Sequence, residues 1–523
     1  MRRHPILARL ALVLAGFGMT ALLLTGVELA LRALDLGAEA THDPFAGFTS
    51  LVPLFEPTTR GDGTAVYRTA RARGADDDGP AEFLVEKPAD GYRIFVVGGS
   101  SAAGVPYGYR YAFSGWLERR LQAALPERTI EVVNAAISGY SSRRALMVVR
   151  EIAAYEPDLL IVYSGHNERS ERRFYEHLLE MDPRLFALRQ WLYSARLYRL
   201  ASRLFAVPSD EPPKVRFDEL RNADQMFAVV TRRVRGDDLQ DAVDREYEAR
   251  LFRFNLEAMI EAMRQVDADS MLLSLSQDFA DWPPGTSSNS PNLTLAARAR
   301  FDVLLDEGRA RALEDCAAAL PIFEQALEID SDFAALHFDI ANCARELGQA
   351  NTREHYRLAS DLDRVPLGAS TAYNEIIRDV AARHDAVFVD VFALMEELSP
   401  DGLVGQSLFV DLLHPNLRAH QRIAETVAER LRAVALIEES EAWRSDGYQE
   451  DAAAAILDAQ PELLRKEHFV RAVACLLSQE RACALRSTRA LLDESPDDPQ
   501  AAGLDRQARQ LPERRRARSQ ARR

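Results

Sequence analysis

Five short aliphatic runs, the first three leading into small or polar turns, fix the class of fold open to this chain. Arg93–Val97 (RIFVV) ends at Gly98, Ile130–Asn134 (IEVVN) leads into Ser138-Gly139, and Leu159–Tyr163 (LLIVY) leads into Gly165-His166-Asn167. Met271–Leu275 and Val387–Val391 have the same character. Runs of this length without polar alternation read as strands buried on both faces. Between them, Tyr111–Ala124 and Ser142–Tyr155 carry helical spacing. Strand and helix in alternation predict an α/β fold, a parallel sheet with helices on both faces in three α/β/α layers.

At 523 residues the chain exceeds one compact core, and about two to four structural units are expected. A net charge of −16 argues against nucleic acid as a partner, because phosphate binding requires a cationic face. Four cysteines, Cys316, Cys343, Cys475 and Cys483, lack the spacing of a zinc site, and neither metal nor other cofactor is expected. They fall as two pairs, which are either disulfides in an oxidising compartment or buried thiols.

Leu10 to Val27 is an uncharged apolar run of 18 residues. As a helix it spans about 27 Å, close to the thickness of a bilayer's hydrocarbon. Arg2, Arg3 and Arg9 precede it, so the positive-inside bias keeps residues 1–9 in the cytosol and carries the bulk of the chain across the inner membrane. A single-pass anchor over 10–33 is expected. A cleaved signal peptide is the rival, but the small-x-small site Ala38-Glu39-Ala40 lies far beyond the run.

Residues 34–88, with Pro53, Pro57, Gly61-Asp62-Gly63 and the Asp76–Asp78 run, read as a linker. The α/β domain is expected over 89–435, interrupted twice. A helical insertion at 169–255 contains Asp182–Ala206, whose leucines at 185, 188, 192, 200 and 204 keep helical spacing among five arginines. This segment either packs on the domain, lies in a membrane interface or covers the site. A second insertion at 295–365 repeats itself. Phe323-x-x-Ala326 recurs as Tyr356-x-x-Ala359 after 33 residues, similar to tetratricopeptide helices and a surface for a protein partner. Residues 436–505 read as a further helical repeat region. The Arg-rich 506–523 is a basic tail, either solvated or in contact with anionic lipid or envelope polymer.

Four stretches supply what ester cleavage needs. Gly98-Gly99-Ser100 follows a strand, and its glycines allow a sharp turn that leaves a hydroxyl at the sheet edge. Gly139 offers an unobstructed backbone N–H. Asn167 offers an amide donor for a tetrahedral oxyanion. In Asp411-Leu412-Leu413-His414 the spacing lets the carboxylate orient an imidazole that takes the serine proton.

Together these stretches resemble the four blocks of the SGNH (GDSL-like) hydrolase superfamily. The closer likeness is to bacterial members with tetratricopeptide-like insertions, through Lys87-Pro88, Gly91-Tyr92-Arg93-Ile94, Tyr155-Glu156-Pro157-Asp158, Gly165-His166-Asn167-Glu168 and His414-Pro415-Asn416. The resemblance implies that the three-layer sheet is flavodoxin-like, with Ser100, His414 and Asp411 as catalytic residues and Ser100, Gly139 and Asn167 as the oxyanion hole. It implies a carboxylic ester hydrolase acting on an ester-containing small molecule, glycan or lipid of the cell envelope. An O-acyltransferase using the same residues, or a non-catalytic scaffold, are the alternatives. The chain departs from the family where Gly-Asp-Ser becomes Gly98-Gly99-Ser100 and Gly-x-Asn-Asp becomes Gly165-His166-Asn167-Glu168. Ser101 is a second hydroxyl beside the expected nucleophile, and His166 stands near the expected oxyanion site.

Overall fold

The computed structural model describes residues 5–37, 43–70, 81–204, 242–437, 443, 452–478 and 480–511. Its strands form two sheets. β1 (Phe55–Thr59), β2 (Ala65–Thr69) and β3 (Glu82–Leu84) are antiparallel. β4 (Tyr92–Gly98), β5 (Ile130–Asn134), β6 (Leu159–Tyr163), β7 (Asp269–Leu273) and β8 (Val387–Val389) are parallel, in the order β5-β4-β6-β7-β8. Every residue of β4 and β6 is buried, as the lack of polar alternation required. Helices Phe113–Ala124 and Leu417–Ala433 pack together on one side. Ser142–Ile152, Ala242–Arg264 and Ala372–Arg383 pack on the other, where right-handed crossovers put them. This is the expected three-layer α/β/α sheet.

β7 begins two residues before the expected run, and β8 closes at Val389. The chain leaves the sheet at Leu275, whose N–H and C=O are both taken by the side-chain amide of Asn374, at 2.7 and 2.8 Å.

The linker reading of 34–88 is corrected. β1 and β2 form a hairpin closed at Arg60–Thr64, and Phe55, Val66 and Phe83 turn one face inward. That face packs edge-on against Phe95 and Tyr155. The carboxylate of Glu151 accepts the N–H groups of Leu54 and Phe55. Arg93, fully buried in β4, reaches Glu131 at 2.8 Å and the carbonyls of Leu84 and Tyr155. Lys87 pairs with Asp158 at 2.6 Å beside it. The turn signals at Pro57 and Gly61–Gly63 therefore mark a hairpin. The Asp76–Asp78 run and Ala38–Ala40 lie outside the described residues.

The first insertion contains helices Pro183–Tyr193 and Arg196–Leu204, so the expected single helix is broken at Ser194. Its expected end at 255 falls inside helix Ala242–Arg264, whose Phe252, Leu256, Met259 and Met263 are core residues of the α/β layers. Residues 205–241 lie outside the described residues. The second insertion is two helical hairpins, Leu295–Ala312 with Cys316–Ile329 and Ala334–Glu346 with Thr352–Asp361. Phe301, Phe323 and Ile340 make its own core, while Phe338, Tyr356 and Ala359 join the core of the sheet domain. Cys316 is bridged to Cys343 and Cys475 to Cys483.

Helices Pro461–Leu477, Arg481–Glu494 and Pro499–Gln510 follow, and the Tyr107 hydroxyl donates to Glu467 at 2.6 Å across to them. Arg506–Gln510 of the expected tail complete the last helix, and 512–523 lie outside the described residues. Helix Pro5–Ala33 is long and apolar enough over Leu12–Ala33 to cross a membrane and buries none of that stretch, which suits a single-pass anchor or a signal sequence.

Candidate active site

The loops after β4, β5 and β6 and the loop before helix Leu417–Ala433 meet at the C-terminal edge of the sheet, where parallel sheets place ligands. β4 ends at Gly98, and Ser100 is the first residue of the short helix Ser100–Ala103. Its N–H therefore has no partner within that helix. His414 Nε2 lies 2.8 Å from Ser100 Oγ, across 314 positions of sequence, and His414 Nδ1 lies 2.6 Å from Asp411 Oδ2. Asp411 closes its own turn, since Oδ1 accepts the N–H groups of Leu413 and His414, both at 2.9 Å. With the carboxylate accepting at Nδ1, the Nε2 lone pair faces the serine hydroxyl.

Burial would raise the Asp411 carboxyl, but the adjacent His414 imidazole and the two backbone N–H donors hold it below the ordinary carboxylate range. Ser101 does not face the imidazole. Its hydroxyl donates to the carbonyl of Leu413 at 3.0 Å and ties the short helix to the Asp411–His414 loop. Asn134 braces the same helix, donating to the carbonyl of Ala102 and to Ser114.

Gly139 stands at φ 77°, in the left-handed region that favours glycine, and a β-carbon there would face open space. Asn167 Nδ2 donates to the carbonyl of Tyr140 at 3.1 Å and lies against Gly99, so a β-carbon on Gly99 would collide with it. The structure thus brings Ser100, Gly139, Asn167, Asp411 and His414 to one edge.

Reading the sequence missed the bracing of the Gly139 loop. Arg144, fully buried, donates to the carbonyl of Gly139, pairs with Glu171 and donates to the carbonyl of Ala46 at 3.0 Å. Glu171 also accepts the N–H and hydroxyl of Ser141, and Glu168 accepts those of Ser142. Burial pushes the Glu168 carboxyl up to about 8, with the nearby Glu171 adding to the rise against the Ser142 hydrogen bonds. The available signal was an arginine on the apolar stripe Ala145, Val148, Val149, Ile152.

His166 is buried, and its Nδ1 accepts the N–H of Ala369 at 3.3 Å. Burial, reinforced by His414, pushes it down to about 3, so it is neutral and its proton sits on Nε2, which has no partner among the described residues.

Residues 96–422, more than half of the chain, match the GDSL-like Lipase/Acylhydrolase family. No curated protein matches the chain. Among solved structures, an acetylxylan esterase from Geobacillus stearothermophilus is similar at 12% identity over 69% of this chain and 99% of its own, with a TM-score of 0.31. A psychrotrophic esterase from Pseudoalteromonas sp. is similar at 11% identity over 66% and 99%, with a TM-score of 0.27. An α/β hydrolase from the metagenome of Lake Arreo, Spain, is similar at 14% over 66% and 96%, with a TM-score of 0.30. With a parallel sheet whose loops gather a serine, a histidine and an aspartate, this chain belongs to the GDSL-like lipase/acylhydrolase family and is an enzyme that hydrolyses ester bonds.

Proposed function

We propose that Ser100, His414 and Asp411 act as a catalytic triad on an ester of the cell envelope, carbohydrate or lipid, with Ser100, Gly139 and Asn167 as oxyanion donors. The observation that carries this reading is the unbroken relay from Asp411 Oδ2 through both ring nitrogens of His414 to Ser100 Oγ.

Ser100 Oγ attacks the ester carbonyl carbon while its proton passes to His414 Nε2. The carbonyl oxygen becomes an oxyanion held by the N–H groups of Ser100 and Gly139 and by Asn167 Nδ2. The bond to the alcohol oxygen breaks as His414 returns the proton to that oxygen. A water then gives its proton to His414 and attacks the acyl carbon. The Ser100 ester bond breaks, the proton returns to Oγ, and the carboxylic acid leaves. Asp411 stays ionised throughout and stabilises the imidazolium.

Helix Pro5–Ala33 serves in this reading as a single-pass anchor with a cytosolic N-terminus, which places the catalytic domain on the extracytoplasmic side. The arginines before the apolar run support that orientation. Hydrolysis of an aryl acetate by the Ser100→Ala protein tests the nucleophile. The expected result is loss of at least about a thousandfold in kcat; a rate equal to wild type would overturn the assignment.

A further inference from the structure

Helix Pro183–Tyr193 is turned inside out. Its inner side carries Phe186 and Tyr193 against Phe45, at ring separations of 5.6 and 5.7 Å, with Arg189 over the same ring. Its outer side presents Leu185, Leu188 and Trp191, which are 55%, 50% and 70% exposed. Single exposed apolar residues are ordinary, but three large ones at helical spacing on the same outward side call for a partner.

The contacts of this segment say which partner. Glu28 is the first charged residue after the uncharged run Leu10–Val27, so it marks the depth at which a spanning helix leaves the hydrocarbon. Its carboxylate accepts the N–H groups of Arg196 and Leu197 at 3.0 and 2.9 Å and so caps helix Arg196–Leu204. Arg196 also pairs with Asp35 at 2.9 Å. Arg32 of the spanning helix reaches the carbonyl of Ser194, and the hydroxyl of Ser194 donates to the carbonyl of Trp191 at 2.6 Å. Trp191 therefore stands within one helical turn of the point where the anchor emerges. From Pro183 to Leu204 the sequence has arginines at 184, 189, 196, 199 and 203 and no acidic residue, within a chain of net charge −16.

We infer that helix Pro183–Tyr193 lies in the headgroup region of the bilayer that holds the anchor, with Leu185, Leu188 and Trp191 turned into the acyl boundary. Tryptophan is suited to that depth, and an arginine-rich, acid-free segment suits anionic lipid. The catalytic domain is thereby held against the membrane surface at two places. This inference rests on the anchor reading of Pro5–Ala33 and adds a second seat to it.

The test uses the full chain reconstituted into phosphatidylcholine/phosphatidylglycerol vesicles whose phosphatidylcholine carries bromine near the headgroup end of the acyl chain. Bromine quenches tryptophan at that depth. Trp116 and Trp443 are buried and Trp282 is partly covered, so Trp191 is the exposed indole. The expected result is quenching in wild type relative to unbrominated vesicles, and its loss in Trp191→Phe. A protein that floats with the vesicles yet shows no quenching, or the same quenching in Trp191→Phe, overturns the interfacial seat and leaves the anchor standing. A protein that does not float overturns the anchor and this inference with it.

Discussion

The amide nitrogen of Asn167 occupies the space that a side chain on Gly99 would need. The loop of Ser100 and the proposed oxyanion donor Asn167 are thus in direct contact, and a side chain added at position 99 requires the Asn167 amide to move. Gly99→Ala is expected to displace the Asn167 amide and lower kcat by roughly 10²–10³, the cost of one oxyanion donor. Steady-state kinetics on an aryl ester check this; an unchanged kcat would mean that the Asn167 position is not used.

Arg144 is the brace of the Gly139 loop. Arg144→Met leaves Glu171 buried without its cation and frees the Gly139 carbonyl. Removing one partner of a buried pair costs about 3–5 kcal/mol. Urea unfolding should register that loss, and kcat should fall more than KM rises. A loss below about 1 kcal/mol, well under that cost, would show the brace to be dispensable.

Glu168 gives a pH signature of stability. Its folded-state carboxyl is pushed up from 4.5 to about 8. Between those values the native protein keeps a proton that the unfolded chain has lost, so raising the pH through this window lowers stability, and the loss is complete above it. Glu168→Gln removes that proton and keeps a group able to bond Ser142. The stability difference between variant and wild type should widen from about pH 5 to about pH 8 by a few kcal/mol and then level off. Thermal melts across that range check it; a difference independent of pH would contradict it.

His166 and His414 are both in the site, but only His414 faces the serine. Because His166 is pushed down to about 3, the acid limb of kcat/KM above about pH 4 belongs to another group. His166→Gln should leave the midpoint of that limb in place. A displaced midpoint would make His166 part of the titrating machinery.

The strands that carry the site were legible because their aliphatic runs are too apolar for any but a doubly covered sheet. The sheet edge then put Ser100, Gly139 and Asn167 where the sequence pattern placed them. The Asp411–His414 turn was legible because a carboxylate closing its own turn depends on local spacing alone. The small sheet of Phe55–Leu84 was hidden because its stability comes from distant groups, Glu151, Tyr155 and Arg93, rather than from its own short strands. Arg144 and Glu171 were hidden for the same reason, since a buried ion pair leaves no periodic trace. The break at Ser194 was missed because the leucine spacing runs on across it.

The central claim is that Ser100, rather than the adjacent Ser101, carries the acyl group. Labelling the full chain with a fluorophosphonate and mapping the modified peptide tests it most directly. The account predicts one covalent adduct, on Ser100, absent from Ser100→Ala and from His414→Ala. An adduct on Ser101, or full labelling of the His414→Ala protein, would contradict it.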